Sequence, residues 1–387
     1  MNETISLFDQ GKVEKLITKP IRLIELFAGY GSQSLALDYL GVPYEHHAIS
    51  EWAIKSIMAY ADLHFDDDKD YSEGKDIGEI KEWLKGRISA DYSTPLPDGR
   101  VDKLAEPFAR SVYSDMIKSH NLGSILKIHG KDLNITDTDK YEYIMTYSFP
   151  CQDLSNSGKR EGMLKGSGTR SGLLWEVERI LDELAEEGHL PQVLLMENVP
   201  DVCGTRNKEP WYQWLDALER LVYSNFYKIL NATEFKIPQH RQRCFMISLL
   251  GDYAFSFPEP RPLGLRLKDV LEKNVSEEYY LSDEAVKSFL VANEKYEERG
   301  NGFRFAPTDG GAWQQASSQE READRAITTS TQGAIAPTLR AHYAKNGLRN
   351  WVRADGFGAP CIAEQTDISA DKAKVSIPVN CTTYRGQ

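Results

Sequence analysis

Short apolar runs alternating with helical patterns constrain the fold of this chain more than any other feature of its sequence. Four such runs, rich in the residues typical of buried parallel strands, occupy residues 21–27, 143–149, 193–199 and 244–250. The clearest helical pattern is at residues 173–187, where apolar residues recur every three or four positions. This alternation predicts an α/β fold with a doubly wound, mostly parallel sheet.

Changes in composition divide the chain into regions. Residues 65–130 are charged and rich in turn-forming residues, which predicts an insertion. The prolines of residues 255–264 cannot continue a helix or a central strand, so a domain boundary is expected there. We predict an N-terminal lead at residues 1–20, a main domain at residues 21–256 and a smaller C-terminal region at residues 257–387.

Charge and hydropathy exclude several classes of protein. The formal net charge of −12 argues against attraction of nucleic acid by the whole surface, so any nucleic-acid site must be local. The N-terminus has no apolar signal region and the chain has no long uncharged apolar run, which predicts an intracellular protein without a membrane span. The five cysteines are scattered without a C-x-x-C pair, which indicates neither disulfides nor a zinc or other metal site.

The first strand leads into a glycine turn of the kind that holds nucleotide-like ligands. Gly29 and Gly31 lie between this strand and an apolar helix, which lets a ligand approach the backbone. About 20 residues further on, Glu51 suits hydrogen bonds from ribose hydroxyls, and Trp52 offers a flat face for adenine. Ser34 replaces the third glycine of the dinucleotide pattern, which favours S-adenosylmethionine. The alternative is a simple tight turn with Trp52 in the core.

Cys151 follows the strand at residues 143–149, at the sheet edge where open α/β folds place their active sites. A thiol in this position suits a nucleophile, although an intracellular cysteine can also be a small buried apolar residue. The glycine-rich, basic segment that follows is typical of a loop that closes over a polyanion.

Two further strand ends carry charged side chains. Glu197 follows an apolar strand and is a candidate acid, or else a helix cap or an ion-pair partner. Arg241 and Arg243 precede the last strand, and in an extended segment they face the same side. Their alternative role is a solvated strand edge.

Seven segments in this order resemble motifs I to VI and VIII of the cytosine-C5 DNA methyltransferases. They are ELFAGYG, SEW, KDL, FPCQDLS, SGLLWEV, MENV and QHRQR. The sequence around these segments resembles that of the bacterial and bacteriophage branch of this family, which is associated with restriction–modification. The resemblance implies a Rossmann-like main domain that binds S-adenosyl-L-methionine, followed by a target-recognition region.

The resemblance also implies roles for individual residues. Cys151 would add to C6 of a flipped-out cytosine in double-stranded DNA, so that C5 accepts a methyl group. The implied catalytic residues are Cys151, Glu197, Arg241 and Arg243. The implied cofactor-binding residues are Phe27, Gly29, Gly31, Glu51, Trp52, Asp132 and Leu173. The implied DNA-binding residues are Gln152, Ser155, Lys159, Arg160, Thr338 and Arg340. The expected location is the cytoplasm of a bacterium or of a phage-infected cell.

Motifs IX and X of that family are not found in the chain, and the target-recognition region is expected to be incomplete. The possible explanations are a second polypeptide that supplies these motifs, a truncated gene product, or a sequence that omits the natural C-terminus. Each predicts low activity of the chain alone. The alternatives in function are an RNA cytosine-C5 methyltransferase and a noncatalytic DNA-binding subunit. A dehydrogenase fits less well, because Cys, Glu and Arg do not suit hydride transfer.

Overall fold

A computed structural model describes residues 13–151, 162–166, 168–266 and 269–270. Further along, it describes the backbone of four two-residue strands, Ala306–Pro307, Ala336–Pro337, Ile362–Ala363 and Val375–Ser376. The chain forms two compact units. One comprises Met1–Ile229 and Arg243–Phe257, and the other Leu230–Gln242 and Pro258–Gln387.

A six-stranded sheet forms the centre of the first unit. Its strands are β1 (Ile21–Leu26), β2 (Tyr44–Ser50), β3 (Glu142–Tyr147), β4 (Val193–Asn198), β5 (Tyr223–Asn231) and β7 (Gln242–Leu250), while the short β6 (Gln239–His240) pairs with Ala336–Pro337 in the second unit. The order is β2-β1-β3-β4-β7-β5, and β2, β1, β3 and β4 are parallel. The chain moves from β1 outward to β2 and then returns to the other side of β1. The predicted doubly wound α/β fold is confirmed, with its switch point between β1 and β3.

Two strands differ from the expectation. We predicted β7 as one more parallel strand, but it runs antiparallel to β4. Burial of apolar residues produces the same composition in either direction, so the sequence did not distinguish them. β5 was not predicted at all. It is an edge strand with half-exposed and exposed residues along most of its length, so it lacks a continuous apolar run.

Helices connect the strands, and all but α1, in which only Ser34 is buried, bury apolar residues. They are α1 (Ser32–Leu40), α2 (Ile54–His64), α3 (Ile77–Leu84), α4 (Asp98–Val101), α5 (Glu106–Lys118), α6 (Leu174–Glu187) and α7 (Lys208–Arg220). α6 has the predicted bounds to within one residue, and its fully buried Val177, Ile180, Leu181 and Leu184 lie in the main core. Each such aliphatic side chain contributes roughly 1.5–3 kcal/mol when it is removed from water. The helix ends at Gly188, whose φ of 76° allows the left-handed cap.

The predicted insertion is a folded part of the first unit. α3, α4 and α5 enclose a second core, which includes the fully buried Leu84, Ile88 and Val112 and extends onto α2 through Ile57. The charged residues of this region therefore belong to the solvent-facing sides of amphipathic helices. In the part of the chain that is described, no helix combines the length and the apolar character needed to cross a membrane.

Candidate active site

The strand register places the predicted site residues at one edge of the sheet. Leu26, the last residue of β1, is paired with Ser50 on β2 and with Tyr147 on β3. Tyr147 is in turn paired with Met196 on β4. Because these strands are parallel, their carboxyl ends form a single edge. Phe27, Glu51 and Cys151 follow these ends, and Glu197 is the last residue but one of β4.

The reversed direction of β7 brings an arginine to the same edge. Asn198, at the end of β4, is paired with Cys244 near the start of β7. Arg243 therefore lies beside the end of β4, and its Nε is 2.8 Å from Glu197 Oε1. Both side chains are mostly buried, with exposed fractions of 19% and 24%. A parallel β7 would have placed Arg243 at the opposite edge of the sheet. The antiparallel direction, which the sequence did not predict, is therefore what brings Arg243 to Glu197.

The turn that carries Cys151 is held from two sides. Asn198 Nδ2 donates a hydrogen bond of 3.1 Å to the carbonyl of Phe149. The hydroxyl of Ser171 donates one of 2.8 Å to the carbonyl of Pro150. Both donors are buried, and Cys151 itself is half-buried against the main core. The position of the thiol is thus fixed by β4 and by the turn before α6.

The described residues between Cys151 and α6 are packed against other parts of the first unit. Met163 is fully buried, and its carbonyl accepts a hydrogen bond of 2.8 Å from Trp175 Nε1. Lys165 forms an ion pair with Glu178 on α6, and Arg170 donates to the hydroxyl of Ser93 at 3.0 Å. An apolar anchor and an ion pair thus attach these residues to α6, and closure of the segment over a polyanion stays a prediction.

The glycine turn contacts Glu51 directly. The amide of Gly29 donates a hydrogen bond of 2.9 Å to Glu51 Oε2, and the amide of Ala53 donates one of 2.7 Å to Oε1. Gly29 has a φ of 60° and open space where a Cβ would stand. Gly31 has a φ of 79°, and a Cβ there would overlap with His64, Ser34 and Tyr60. Only glycine satisfies both the conformation and the space at position 31.

Glu51 is a buried carboxyl group with a displaced pKa. Burial raises its pKa to about 7, against the effect of the hydrogen bonds from the amides of Ala53, Gly29 and Trp52. A carboxylate has about four lone-pair positions, so one remains for a further hydrogen bond. The group can therefore accept from a ligand hydroxyl, and it exchanges a proton near neutral pH.

The other predicted cofactor residues have different surroundings. Phe27 and Leu173 are half-buried against the main core, and Trp52 is half-buried, with its carbonyl accepting a hydrogen bond of 2.6 Å from the amide of Ser89. Asp132 is exposed, and its Oδ2 caps a 3₁₀ turn by accepting from the amide of His129 at 2.8 Å. These adenine contacts stay predictions.

Arg241 belongs to the second unit and Arg243 to the first. Its amide donates a hydrogen bond of 3.1 Å to Asn231 Oδ1, and its carbonyl accepts one of 3.0 Å from Ala232. The convergence of its side chain with that of Arg243 stays a prediction. The predicted DNA-binding residues lie outside the described part of the chain; they are Gln152, Ser155, Lys159, Arg160, Thr338 and Arg340.

Sequence reasoning missed three residues that position this site. Asn198 and Ser171 hold the turn before Cys151, and both stand inside segments that were recognised for their neighbours. Asn121 accepts hydrogen bonds from the amides of Glu51, at 3.1 Å, and Gly123, at 2.8 Å. It lies 70 residues from Glu51 in sequence, and no local pattern marks it.

Comparisons with known proteins find matches to this chain in sequence and in structure. The sequence model for C-5 cytosine-specific DNA methylases matches residues 100–376. The type II methyltransferase M2.ScrFI of Lactococcus lactis subsp. cremoris is 38% identical over 270 residues, which are 69% of this chain and 71% of that protein. The orphan methyltransferase M.SssI of Spiroplasma monobiae is 37% identical over 270 residues, 69% of this chain and 68% of that protein. The Dnmt2 methyltransferase of S. pombe matches in structure with a TM-score of 0.45 and 15% identity, over 88% of this chain and 83% of that one.

The family match extends over more than half of the chain. The two bacterial relatives exceed 30% identity over more than two thirds of it. The predicted resemblance is therefore confirmed: the chain is a member of the C-5 cytosine-specific DNA methylase family.

Proposed function

We propose that this protein transfers a methyl group from S-adenosylmethionine to C5 of a flipped-out cytosine at a specific site in double-stranded DNA. The reaction passes through a covalent bond between Cys151 and C6 of the base. The protein acts as the modification enzyme of a restriction–modification system, in the cytoplasm of a bacterium or of a phage-infected cell. The observation that carries this proposal is the Glu197–Arg243 pair, formed at the sheet edge that also holds Cys151.

The residues of the glycine turn fit the proposed cofactor. The space above Gly29 is open, and the carboxylate of Glu51, which accepts from three amides, has one lone pair left for a ribose hydroxyl. Phe27, Trp52 and Leu173 offer apolar surface for the adenine and the methionine chain. When bound, S-adenosylmethionine supplies an electrophilic methyl group on its sulfonium.

The paired side chains match one edge of cytosine. That edge presents a donor at N4 and acceptors at N3 and O2, side by side. Glu197 accepts from N4 through one oxygen and, when it carries a proton on the other, donates to N3, while the guanidinium of Arg243 donates to O2. Neighbouring contacts of this kind require the two side chains to lie next to each other, and the ion pair of 2.8 Å between Arg243 Nε and Glu197 Oε1 places them so.

These contacts promote attack by the thiolate. Cys151 forms a bond to C6, and the electron pair of the C5–C6 double bond moves into the ring toward N3 and O2. Glu197 protonates N3 and Arg243 stabilises the charge at O2, so that C5 becomes nucleophilic. C5 takes the methyl group and S-adenosylhomocysteine is left. A water molecule then removes the C5 proton, the double bond forms again as the thiolate leaves, and the N3 proton returns to Glu197. Cys151 is then regenerated.

A methyl-transfer assay with a trapping substrate tests the nucleophile. The purified chain is expected to transfer tritiated methyl groups to double-stranded DNA and to form a covalent adduct with DNA that contains 5-fluorocytosine. Cys151→Ser is expected to abolish both, because the hydroxyl is a far weaker nucleophile. Cys203→Ser is the matched control, since Cys203 is also a half-buried cysteine packed on the main core. Adduct formation by Cys151→Ser contradicts the proposal.

The role of Glu197 is tested by removing its acidity. Glu197→Gln is expected to lower kcat by about 100-fold or more, because the neutral amide cannot protonate N3. The matched control is Glu45→Gln at the opposite edge of the sheet, where Glu45 pairs with Arg22 Nε at 2.9 Å. Equal kcat values for the two variants would remove Glu197 from the mechanism.

The same assay separates the alternative substrates and assemblies. Methyl transfer to transfer RNA without transfer to DNA would favour the RNA enzyme. Transfer that becomes efficient only when a polypeptide with motifs IX and X is added would favour the split enzyme. Wild-type chain that binds DNA but forms no adduct under either condition would favour the noncatalytic subunit.

A further inference from the structure

α2 begins and ends against the two parts of the proposed cofactor site. At its start, the amide of Ala53 donates to Glu51 Oε1 at 2.7 Å. At its end, His64 Nε2 lies 2.9 Å from the carbonyl of Tyr30, in the middle of the glycine turn. Since a carbonyl only accepts, His64 carries its proton on Nε2 and donates it. One helix thus connects the carboxyl group to the turn.

The side chains at the end of α2 fill the underside of the glycine turn. The position where Gly31 would carry a Cβ is occupied by His64, by the ring of Tyr60 and by the hydroxyl of Ser34. His64 also packs against the Tyr60 ring, with 4.4 Å between ring centroids. The turn cannot sink toward the core while these groups are in place. Its outer face, at Gly29, is open.

A buried hydrogen-bond chain fixes Tyr60. Its hydroxyl donates to Glu25 Oε2 at 2.6 Å and accepts from His46 Nδ1 at 2.9 Å. The hydroxyl of Ser34 reaches both Glu25 Oε2, at 3.1 Å, and the carbonyl of Gly31, at 2.9 Å. The chain therefore leads from β2 through α2 to β1 and to the turn itself.

The cost of burying this chain indicates that it has a role. Tyr60, Glu25 and Ser34 are 0%, 1% and 0% exposed, and burial raises the pKa of Glu25. Buried polar groups reduce stability unless each finds a partner, and apolar residues of the same shape avoid that risk. The proposed catalytic steps use none of these groups, and their contacts converge on residues 30–34.

We propose that His64 and Tyr60 are positioning residues, which hold the backbone of the glycine turn in the shape that binds S-adenosylmethionine. This inference rests on the proposed function. His64 acts on the carbonyl of Tyr30, and Tyr60 acts through Glu25 and Ser34 on the carbonyl of Gly31. Loss of either contact lets the turn relax and weakens cofactor binding, while the catalytic groups at the other strand ends stay in place.

Four variants of the full chain test this inference. Tyr60→Phe and His64→Ala each remove a hydrogen bond, and His64→Gln restores a donor for the carbonyl of Tyr30. The control is Tyr143→Phe, which removes the buried hydroxyl that accepts from Arg22 at 2.8 Å, near the opposite edge of the sheet. The measurements are the Kd of S-adenosylhomocysteine by calorimetry, the KM of S-adenosylmethionine and kcat, all well below the melting temperature.

Tyr60→Phe and His64→Ala are expected to raise the Kd and the KM by about 5- to 10-fold, the effect of one lost hydrogen bond, with kcat at saturation changed by less than about twofold. His64→Gln should recover most of the affinity, and Tyr143→Phe should leave it unchanged. A merely structural role predicts lower melting temperatures with unchanged Kd, and that result overturns the inference. If Tyr60→Phe does not fold, the comparison of His64→Ala with His64→Gln decides. Failure of the wild-type chain to bind S-adenosylhomocysteine is a different outcome, since it contradicts the proposed cofactor itself.

Discussion

At the scale of single residues, Glu51 links burial to the proposed cofactor binding. Its place after β2 was predictable from its distance to the glycine turn. Its pKa of about 7 was not, because burial raises it and burial is a property of the folded chain. Ribose hydroxyls donate hydrogen bonds to a carboxylate more strongly than to a neutral acid. Cofactor binding therefore favours release of the proton from Glu51.

The affinity for S-adenosylhomocysteine is expected to rise as the pH increases from 6 to 8. Below a pKa of about 7, binding must release the proton of Glu51, which costs up to about tenfold in affinity per pH unit. The measurement is Kd by calorimetry at pH 6, 7 and 8. Glu51→Gln is the control, because its side chain does not titrate, and its Kd should be weaker and less dependent on pH.

Stability of the ligand-free chain depends on Glu51 with the opposite sign. The folded pKa lies above the ordinary value of 4.5, so the folded state keeps a proton that the unfolded state loses. This contribution is fully present below pH 4.5 and is lost as the pH rises to about 7.

In the binding experiment, a wild-type Kd that is independent of pH would show that Glu51 does not change its protonation on binding.

At the scale of elements, the turn between β1 and α1 contains two glycines with similar backbone conformations but different amounts of space around them. Gly29→Ala is expected to cost about 1–2 kcal/mol in free energy of unfolding, because a residue with a Cβ is strained at its φ of 60°. Gly31→Ala adds the overlap with three neighbouring side chains and should cost roughly 1–3 kcal/mol more. Urea denaturation measures both values.

For ligand binding, the order of the two variants should be reversed, with the larger loss of affinity in Gly29→Ala. A methyl group on Gly29 occupies the open space proposed for the cofactor, so that Gly29→Ala weakens binding of S-adenosylhomocysteine more than its small cost in stability suggests. Equal losses of stability in the two variants would mean that the groups below Gly31 yield readily. That result would also weaken the case for a rigid support by α2.

The sequence predicted some of the elements and not others, for physical reasons. The strands β1, β3 and β4 are buried on both faces, and the helix α6 carries one apolar stripe. Both patterns can be recognised in the sequence. The direction of β7 depends on its partner β4, and the half-exposed β5 depends on a sheet edge, so neither has a local signature. The pairing of Glu197 with Arg243 follows from that direction. The sequence suggested both residues but could not place them in contact.

At the scale of the whole first unit, the insertion supports the site from outside the sheet. The amide of Ser89 donates to the carbonyl of Trp52 at 2.6 Å, and Asn121 accepts from the amide of Glu51 at 3.1 Å. Both supports belong to the region between α2 and β3, which contains the second core. The structure thus makes the folding of α3, α4 and α5 and the geometry of residues 51–52 mutually dependent.

Cofactor binding is therefore expected to stabilise the insertion against local opening. Saturating S-adenosylhomocysteine should slow amide hydrogen exchange in α5, although the ligand is bound at the sheet edge, because a ligand that binds only the closed form stabilises it by mass action. Linkage requires the reverse effect too. Leu84→Ala, which truncates a fully buried side chain of the second core, should cost roughly 2–5 kcal/mol in that core and weaken ligand binding. Amides of α7 in the main core are the internal reference. Equal exchange in α5 with and without ligand, together with an unchanged Kd for Leu84→Ala, would show that the two parts open independently.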